Sequence, residues 1–253
     1  MARSYINQPT LDIDFIKPAA HEFVPVAKAT EGGRNFEEET ISIAIGGGGH
    51  VVASYEDCFI QTREQHEYAT WLSVYLTGSF RFINVPLKTD WMGPFPVLDR
   101  WPVPIISGIT HSDGSTFSDG SGYSQATVFG VTTAAAVVGA GIISMRVYDA
   151  ARPLRMSDWF SIYHPTKGWR AYAYWKVLSM SAEGTEIVSG ATRTYRDYQL
   201  AISPELREAV TSGTRVEFAR PRFVGQLAAG TSIRMRTSSF WVARPTLQFT
   251  EAR

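Results

Sequence analysis

The sequence predicts a mainly β protein: a β-sandwich with one prominent α-helix at about residues 62–77, and an additional barrel-like β unit. Two observations predict it. Most patterned segments alternate apolar and polar residues and are separated by glycine or Asp-Gly turns. A single stretch, beginning at Thr62, carries a convincing helical period. An aromatic content of 13% points the same way, because flat rings pack well on a pleated surface and at interfaces. The chain has 253 residues, enough for one large β domain or two smaller ones, and its 44% hydrophobic content provides for a real core.

Residues 1–35 lack a period and carry spaced prolines at Pro9, Pro18 and Pro25, so an extended N-terminal arm that packs on something is expected there. Residues 36–142 are expected to hold a sandwich part with the helix and an inserted loop. Residues 143–253 are expected to hold the barrel-like unit and closing strands, and the two parts can be one continuous domain. Ile41 to Ile45 alternates as a half-buried strand; Gly46 to Gly49 then make a flexible tip, and Val51-Val52-Ala53 a return strand.

Thr62 can cap the helix, and Gln65 stands three residues on, where a capping box places its second partner. Tyr68, Trp71, Leu72, Tyr75 and Leu76 define its expected buried face, and Gly78 its left-handed stop. Phe80 to Ile83 follows as a strand that Pro86 ends. Residues 88–104, with Trp91, Trp101 and four prolines, read as an ordered loop. Asp113-Gly114 and Asp119-Gly120 are turn signals that suggest an exposed ribbon between 105 and 130.

Beyond it, Ile143 to Val147, Asp158 to Tyr163 and Trp169 to Val177 alternate as strands. Val216 to Phe218, Ile233 to Thr237, Phe240 to Ala243 and Leu247 to Phe249 supply closing strands. One short helix is expected at Pro204 to Val210, capped by Ser203 and closed by Ser212-Gly213. No internal repeat and no low-complexity segment is evident. No basic leader with an apolar stretch opens the chain, and no apolar run reaches membrane-spanning length.

Little in the sequence points to chemistry. Cys58 is the one cysteine, which excludes an intrachain disulfide and a thiolate metal cluster. His21, His50, His66, His111 and His164 show no metal-ligand spacing. Gly46 to His50 lacks the Lys-Ser/Thr pair of a phosphate loop, and Gly120 to Ser124 lacks the strand-turn-helix frame of a nucleophile elbow. Asp12 and Asp14 are too few ligands for a cation site. No cofactor, no metal and no enzymatic activity are expected. Trp91, Trp101, Tyr123 and Trp159 are candidates for a sugar-binding surface, although core or subunit contact is the simpler use of such rings.

Net charge is zero, which argues against nucleic-acid binding; the charge is nevertheless uneven. Residues 1–60 carry nine acids against four bases, and residues 189–253 carry ten arginines against five acids. Head-to-tail self-association explains this, and so does pairing of the two ends inside one monomer. Arg outnumbers Lys 19 to 5, which favours bidentate and stacked contacts.

Several segments together resemble the distal tail proteins of long-tailed phages. A capped helix leads into a strand over Glu64 to Val85. Leu154 to Ile162 matches a step into a strand with Asp158 in the usual Asp place and Ser157 standing for Gly. Tyr174-Trp175-Lys176-Val177-Leu178 ends the next strand. Ile202 to Val210, followed by Gly213 to Arg222, matches a pattern written h-P-x-L-R-x-A-h-x-x-G-T-x-V-x-F-x-x-P-R, the most specific part. The resemblance spans about residues 60–253, least firmly over 88–142.

It implies a structural virion protein of a siphophage tail tip, made in the bacterial host cytoplasm. Copies would form a homo-oligomeric ring, a hexamer as the family implies, joining the tail tube to the baseplate hub and scaffolding the receptor-binding parts. Its expected partners are itself, the tail tube protein, the tail hub protein and the tape-measure protein, with no membrane and no sequence-specific nucleic acid. The expected subunit edges are Glu37, Glu38 and Glu39 on the acidic side and Arg215, Arg220, Arg222, Arg234 and Arg236 on the basic side. The alternative function is a carbohydrate-binding module or adhesin of the tail that recognises the host surface.

Overall fold

A computed structural model describes residues 4–27, 29–34, 40–44, 49–235 and 241–252. In chain order the first part contains α1 (Ile13–Ile16), β1 (Ala20–Val26), β2 (Ala29–Arg34), β3 (Thr40–Ala44), β4 (His50–Glu56), α2 (Arg63–Tyr75) and β5 (Ile83–Pro86). The middle contains β6 (Val97–Leu98), β7 (Trp101–Pro102), β8 (Ile105–Ile109), β9 (Tyr123–Ala126), β10 (Phe129–Thr132) and β11 (Ile142–Tyr148). Then follow β12 (Phe160–His164), β13 (Gly168–Met180), β14 (Gly184–Val188), β15 (Ala191–Ser203), β16 (Arg215–Glu217), β17 (Arg222–Leu227) and β18 (Leu247–Glu251). The fold is mainly β, sandwich-like, with one prominent helix and a barrel unit, as the sequence implies.

The helix is set by its N-terminus. The Thr62 hydroxyl accepts from the Gln65 amide at 3.3 Å, and Gln65 Oε1 accepts from the Thr62 amide at 3.1 Å, closing the capping box. Its buried face keeps Leu72 and Leu76 of the expected one, with Tyr68 and Tyr75 half-buried against the core, and turns from Trp71 toward Gln65 and Ala69. Gln65, Ala69, Leu72 and Leu76 are buried, whereas Trp71 is exposed and stacks between Tyr68 and Tyr75. Gln65 explains the rotation: its Nε2 donates to the Phe15 carbonyl at 2.7 Å, which fixes that edge of the helix on α1.

A five-stranded antiparallel sheet has the order β1-β4-β18-β17-β5. Val51, Ala53 and Tyr55 of β4 alternate into a core shared with Leu72 of α2, with Leu76 just after it, and with Phe223, Leu247 and Phe249. The first residues pack on this same body: Leu11, Ile13 and Ile16 are buried in that core, and β1 is an edge strand of the sheet. Ile45 to Gly48, most of the expected tip, lie outside the described residues, and among the described residues the expected pairing of 41–44 with 51–53 does not occur. β3 pairs with β2, and β4 pairs with β1 and β18. Gly49 has φ 76°, and a Cβ there would lie 2.5 Å from the Val26 carbonyl oxygen, so the chain passes tightly against β1 instead of turning back on β3.

The second unit is a closed antiparallel barrel. Its order is β11-β10-β16-β12-β13-β15, and β15 closes the ring by pairing with β11. Closure removes the open edges that a free sheet of this size would leave. Phe160, Tyr172, Tyr174, Leu200, Val216 and Phe218 fill its core. The 142/143 boundary falls inside β11, between its first two residues, in a strand that pairs with β10 and β15 in the barrel. Residues 204–210 are not helical as expected. Leu206 and Val210 exchange backbone hydrogen bonds with residues 136–140 and bury their side chains in the barrel core. Backbone groups already satisfied across the chain are not available for i,i+4 bonds, so the capping signals at Ser203 and Pro204 are overridden. Residues 231–235 and 241–242 are likewise not strands among the described residues; Ala243 makes only an isolated bridge with Ile60.

Sheet and barrel meet along β13. Tyr172 and Tyr174 point into the barrel core, while Ala171 joins the core of the sheet, as a strand's two-residue period requires. One polar cluster crosses the junction. Glu251 of β18 accepts from Arg170 Nη1 at 3.1 Å, from Arg207 Nη2 at 3.1 Å and from the Val51 amide at 3.0 Å. Its carboxylate is fully buried and so is most of Arg170. Removing one member strands a buried charge, and replacing Glu251 with Ala is expected to destabilise the fold by about 3–5 kcal/mol. Glu251→Gln, which keeps an acceptor for Val51, should cost less. Urea unfolding midpoints of the two variants check this; an Ala variant within error of the parent would refute the role.

Candidate functional site

The expected charged edges are distributed unevenly by the fold. Glu37, Glu38, Glu39 and Arg236 lie outside the described residues. Arg220 is engaged within the chain, donating to Asp90 and to Asp14, the latter at 3.3 Å. Lys88 reaches the same Asp14 at 2.5 Å. Burial alone would raise the Asp14 pKa, but the Lys88 hydrogen bond and the charges of Arg220 and Lys88 outweigh it and hold the carboxyl below its usual range. An acid of the N-terminal part and a base of the C-terminal part therefore neutralise each other inside one molecule. Arg222 is half-buried, its guanidinium 4.5 Å from the centre of the Trp169 ring. Arg215 is exposed and lies over Phe129 at 5.5 Å, and Arg234 is exposed.

The four aromatic candidates separate cleanly. Trp159 is a core residue, half-buried with its ring edge-on to Phe23 at 5.6 Å. Tyr123 belongs to an exposed triangle with His111 and Phe117, all ring centroids within 4.9–5.1 Å. Trp91 and Trp101 are 71% and 74% exposed. Trp101 sits on the β6–β7 hairpin, opposite Leu98. Asp99 and Arg100 form its two-residue turn with φ 49° and 72°, the left-handed pair that a tight hairpin needs.

Trp91 stands at the wall of a groove of about 440 Å³. The 91–97 segment lines it with Met92, Phe95 and Val97, and the 151–157 segment with Arg152, Arg155 and Ser157. The two segments are tied together. The Ala151 amide donates to the Pro94 carbonyl at 2.9 Å, and Arg152 donates to the Met92 carbonyl. Arg152 also grips both oxygens of buried Asp158, at 2.7 and 2.8 Å, and Asp158 accepts from the Arg155 amide at 2.7 Å. Gly93 lets the Phe95 ring lie against the backbone: a Cβ there would be 1.9 Å from the ring. Sequence reading found Trp91 from its residue type. It missed Arg152, Arg155 and Ser157, which the chain brings in from some sixty positions away.

The ribbon contains a short tandem repeat that the sequence reading passed over. Ser112-Asp113-Gly114-Ser115 and Ser118-Asp119-Gly120-Ser121 fold as the same turn. Asp113 accepts from the amide and hydroxyl of Ser115, and Asp119 does the same with Ser121, so these bonds hold both carboxyls below the usual range. The six-residue period brings His111, Phe117 and Tyr123 together edge to face.

Among the described residues no group of three or more His, Cys, Asp or Glu is placed to hold a metal. His21 and His66 bond to the carbonyls of Lys88 and Trp241. His164 is fully buried, its Nε2 2.8 Å from the Tyr172 hydroxyl. Burial of Cys58 pushes its thiol up to about 12, which keeps it protonated and unreactive. No family model matches the chain, and no curated protein sequence matches it.

His164 sets a pH dependence. Burial drives its pKa down to about 4; Arg170 acts in the same direction, and Glu208 and Glu251 oppose it. The unfolded chain takes up this proton below about pH 6.5, while the folded protein resists until about pH 4, so stability is full above that window and falls as pH drops through it. The contribution is about 3 kcal/mol. A His164→Gln variant should lose less stability than the parent between pH 6.5 and 4 in denaturant titrations. Equal slopes for both would refute the assignment.

Proposed function

We propose that this chain is a structural subunit of a phage tail tip, and that copies close into a ring joining the tail tube to the hub. The observation that carries the reading is the spread of exposed apolar side chains over separate elements. Trp71, Val74 and Phe80 are exposed at and just beyond α2, and Val137, Val138 and Ile142 before and at the start of β11. Trp175, Met180 and Ile187 are exposed on β13 and β14. Isolated surface apolar residues are ordinary, but several groups of large ones on one chain are what subunits cover on assembly.

Two-stranded ribbons add reach. β2–β3 forms a two-stranded sheet of its own, and β8–β9 carries the tandem turns. Over Ala191 to Thr194, before it reaches β11, β15 has only β14 as its strand partner, and the two make a third ribbon. A ring subunit needs a stiff body with elements of this kind to engage neighbours. The resemblance over Ile202 to Arg222 supplies the phage tail context and the expectation of a hexamer.

Negative-stain imaging of intact particles labelled with an antibody to this chain tests the proposal. Label confined to the tail tip is the expected result, and particles without label would overturn it. Reversing Glu37, Glu38 and Glu39 to Lys is expected to reduce ring closure, read as ring counts on assembled tips. Normal rings from that variant would remove the acidic edge from the interface.

A further inference from the structure

We propose that the groove beside Trp91 binds an acidic saccharide, a sugar ring carrying a carboxylate or a phosphate. This goes beyond the ring reading and holds whether or not the chain assembles. The groove has the volume of a small-ligand site, about 440 Å³, rather than the flat expanse of a subunit contact. It is also pre-formed. The bonds from Ala151 to the Pro94 carbonyl and from Arg152 to the Met92 carbonyl hold its walls together, so a ligand meets a site that needs little ordering.

The chemistry of the walls selects the ligand. Trp91 is an indole 71% exposed at the rim, which offers a flat apolar plate. The C–H face of a pyranose is its natural cover: apolar enough to displace water from the ring, yet edged with hydroxyls that stay hydrated. Met92 and Val97 continue that apolar side.

The lining from the 151–157 segment is polar. Arg152 is fully committed to Asp158 and backbone carbonyls, so the pair is neutral and serves as a brace. Arg155 and Ser157 have exposed side chains at the groove. Their turn is pinned by the Asp158 carboxylate accepting from the Arg155 amide and by the Asp158 amide donating to the Arg155 carbonyl at 2.8 Å. The one acid in the wall cluster is neutralised by Arg152, which leaves the Arg155 guanidinium as the net charge of the site. A guanidinium with a neighbouring hydroxyl complements an anionic substituent, and the indole complements the ring that bears it.

The full chain should be tested on immobilised uronic-acid oligomers, hexose-phosphate oligomers and neutral hexose oligomers. The expected result is binding to an acidic class; the carboxylate and phosphate arms say which. Trp91→Ala should weaken it by at least about tenfold, the scale of losing one stacked ring. Arg155→Ala should remove the preference for acidic over neutral oligomers. Trp241→Ala, which alters another exposed indole (77%), should leave binding unchanged. Trp91 and Arg155 are exposed, so both variants should unfold at the parent midpoint, and that measurement separates lost binding from lost fold. Absence of binding by the parent to every oligomer overturns the proposal, as does binding that survives Trp91→Ala. Protection of Trp91 from quencher only in assembled particles, with no oligomer bound, assigns the groove to a subunit contact instead.

Discussion

The structure depends on one buried carboxylate. Glu251 lies between two guanidiniums, Arg170 from the barrel and Arg207 from the segment that closes the barrel end, and it also receives the Val51 amide from the middle of the sheet. A charge removed from water needs every lone pair matched, and here the matching groups come from both units and from distant parts of the chain. Satisfying Glu251 therefore requires sheet and barrel to be in register at the same time. Arg170 adds to this by donating to the Lys167 carbonyl and by lying 5.3 Å from the centre of the Tyr5 ring, which brings the N-terminal segment to the same junction. Gly168 makes that crossing possible: with φ 65°, a Cβ there would stand 2.3 Å from the Tyr5 carbonyl oxygen.

Around this junction the apolar surfaces are arranged to serve two cores. β13 is the shared wall, with tyrosines toward the barrel and a small alanine toward the sheet. The pairing of Asp14 with Arg220 and Lys88 follows the same geometry, since the sheet is built from both ends of the chain and brings their opposite charges together. Part of the uneven charge in the sequence is thus used for internal neutralisation. Of the expected basic edge, Arg215 and Arg234 are exposed.

What could be read from sequence followed the range of the interactions involved. The Thr62 capping box and the two Asp-Gly turns are local, and each forms where its residues predict. The rotation of α2 depends on Gln65 reaching Phe15, fifty positions away, and a periodicity count has no access to it. Residues 204–210 carry good helix-start signals, but the 136–140 segment claims their backbone through an isolated bridge and a turn. β15, which closes the barrel, is rich in Thr, Arg and Tyr and alternates too weakly in hydropathy to be named. In the candidate site, Trp91 and Trp101 stood out as residue types, and nothing local distinguished them from Trp159, which packs against Phe23. The second wall of the groove comes from the 151–157 turn, and only the folded chain sets it beside residues 91–97.

The order of strands in the sheet also has a consequence for synthesis. β4 and β5 are made early, but the strands that stand between them, β18 and β17, lie beyond the whole barrel in the chain. At about 5–20 residues per second, the ribosome needs on the order of ten seconds to travel from Pro86 to Arg222. During that interval the barrel strands emerge together and can close, while the sheet lacks its centre and β4 and β5 present bare edges. The nascent chain thus passes through a state with one finished unit and one open one, and the Glu251 contact, made by a strand that arrives last of all, locks the two units only after translation has passed β18.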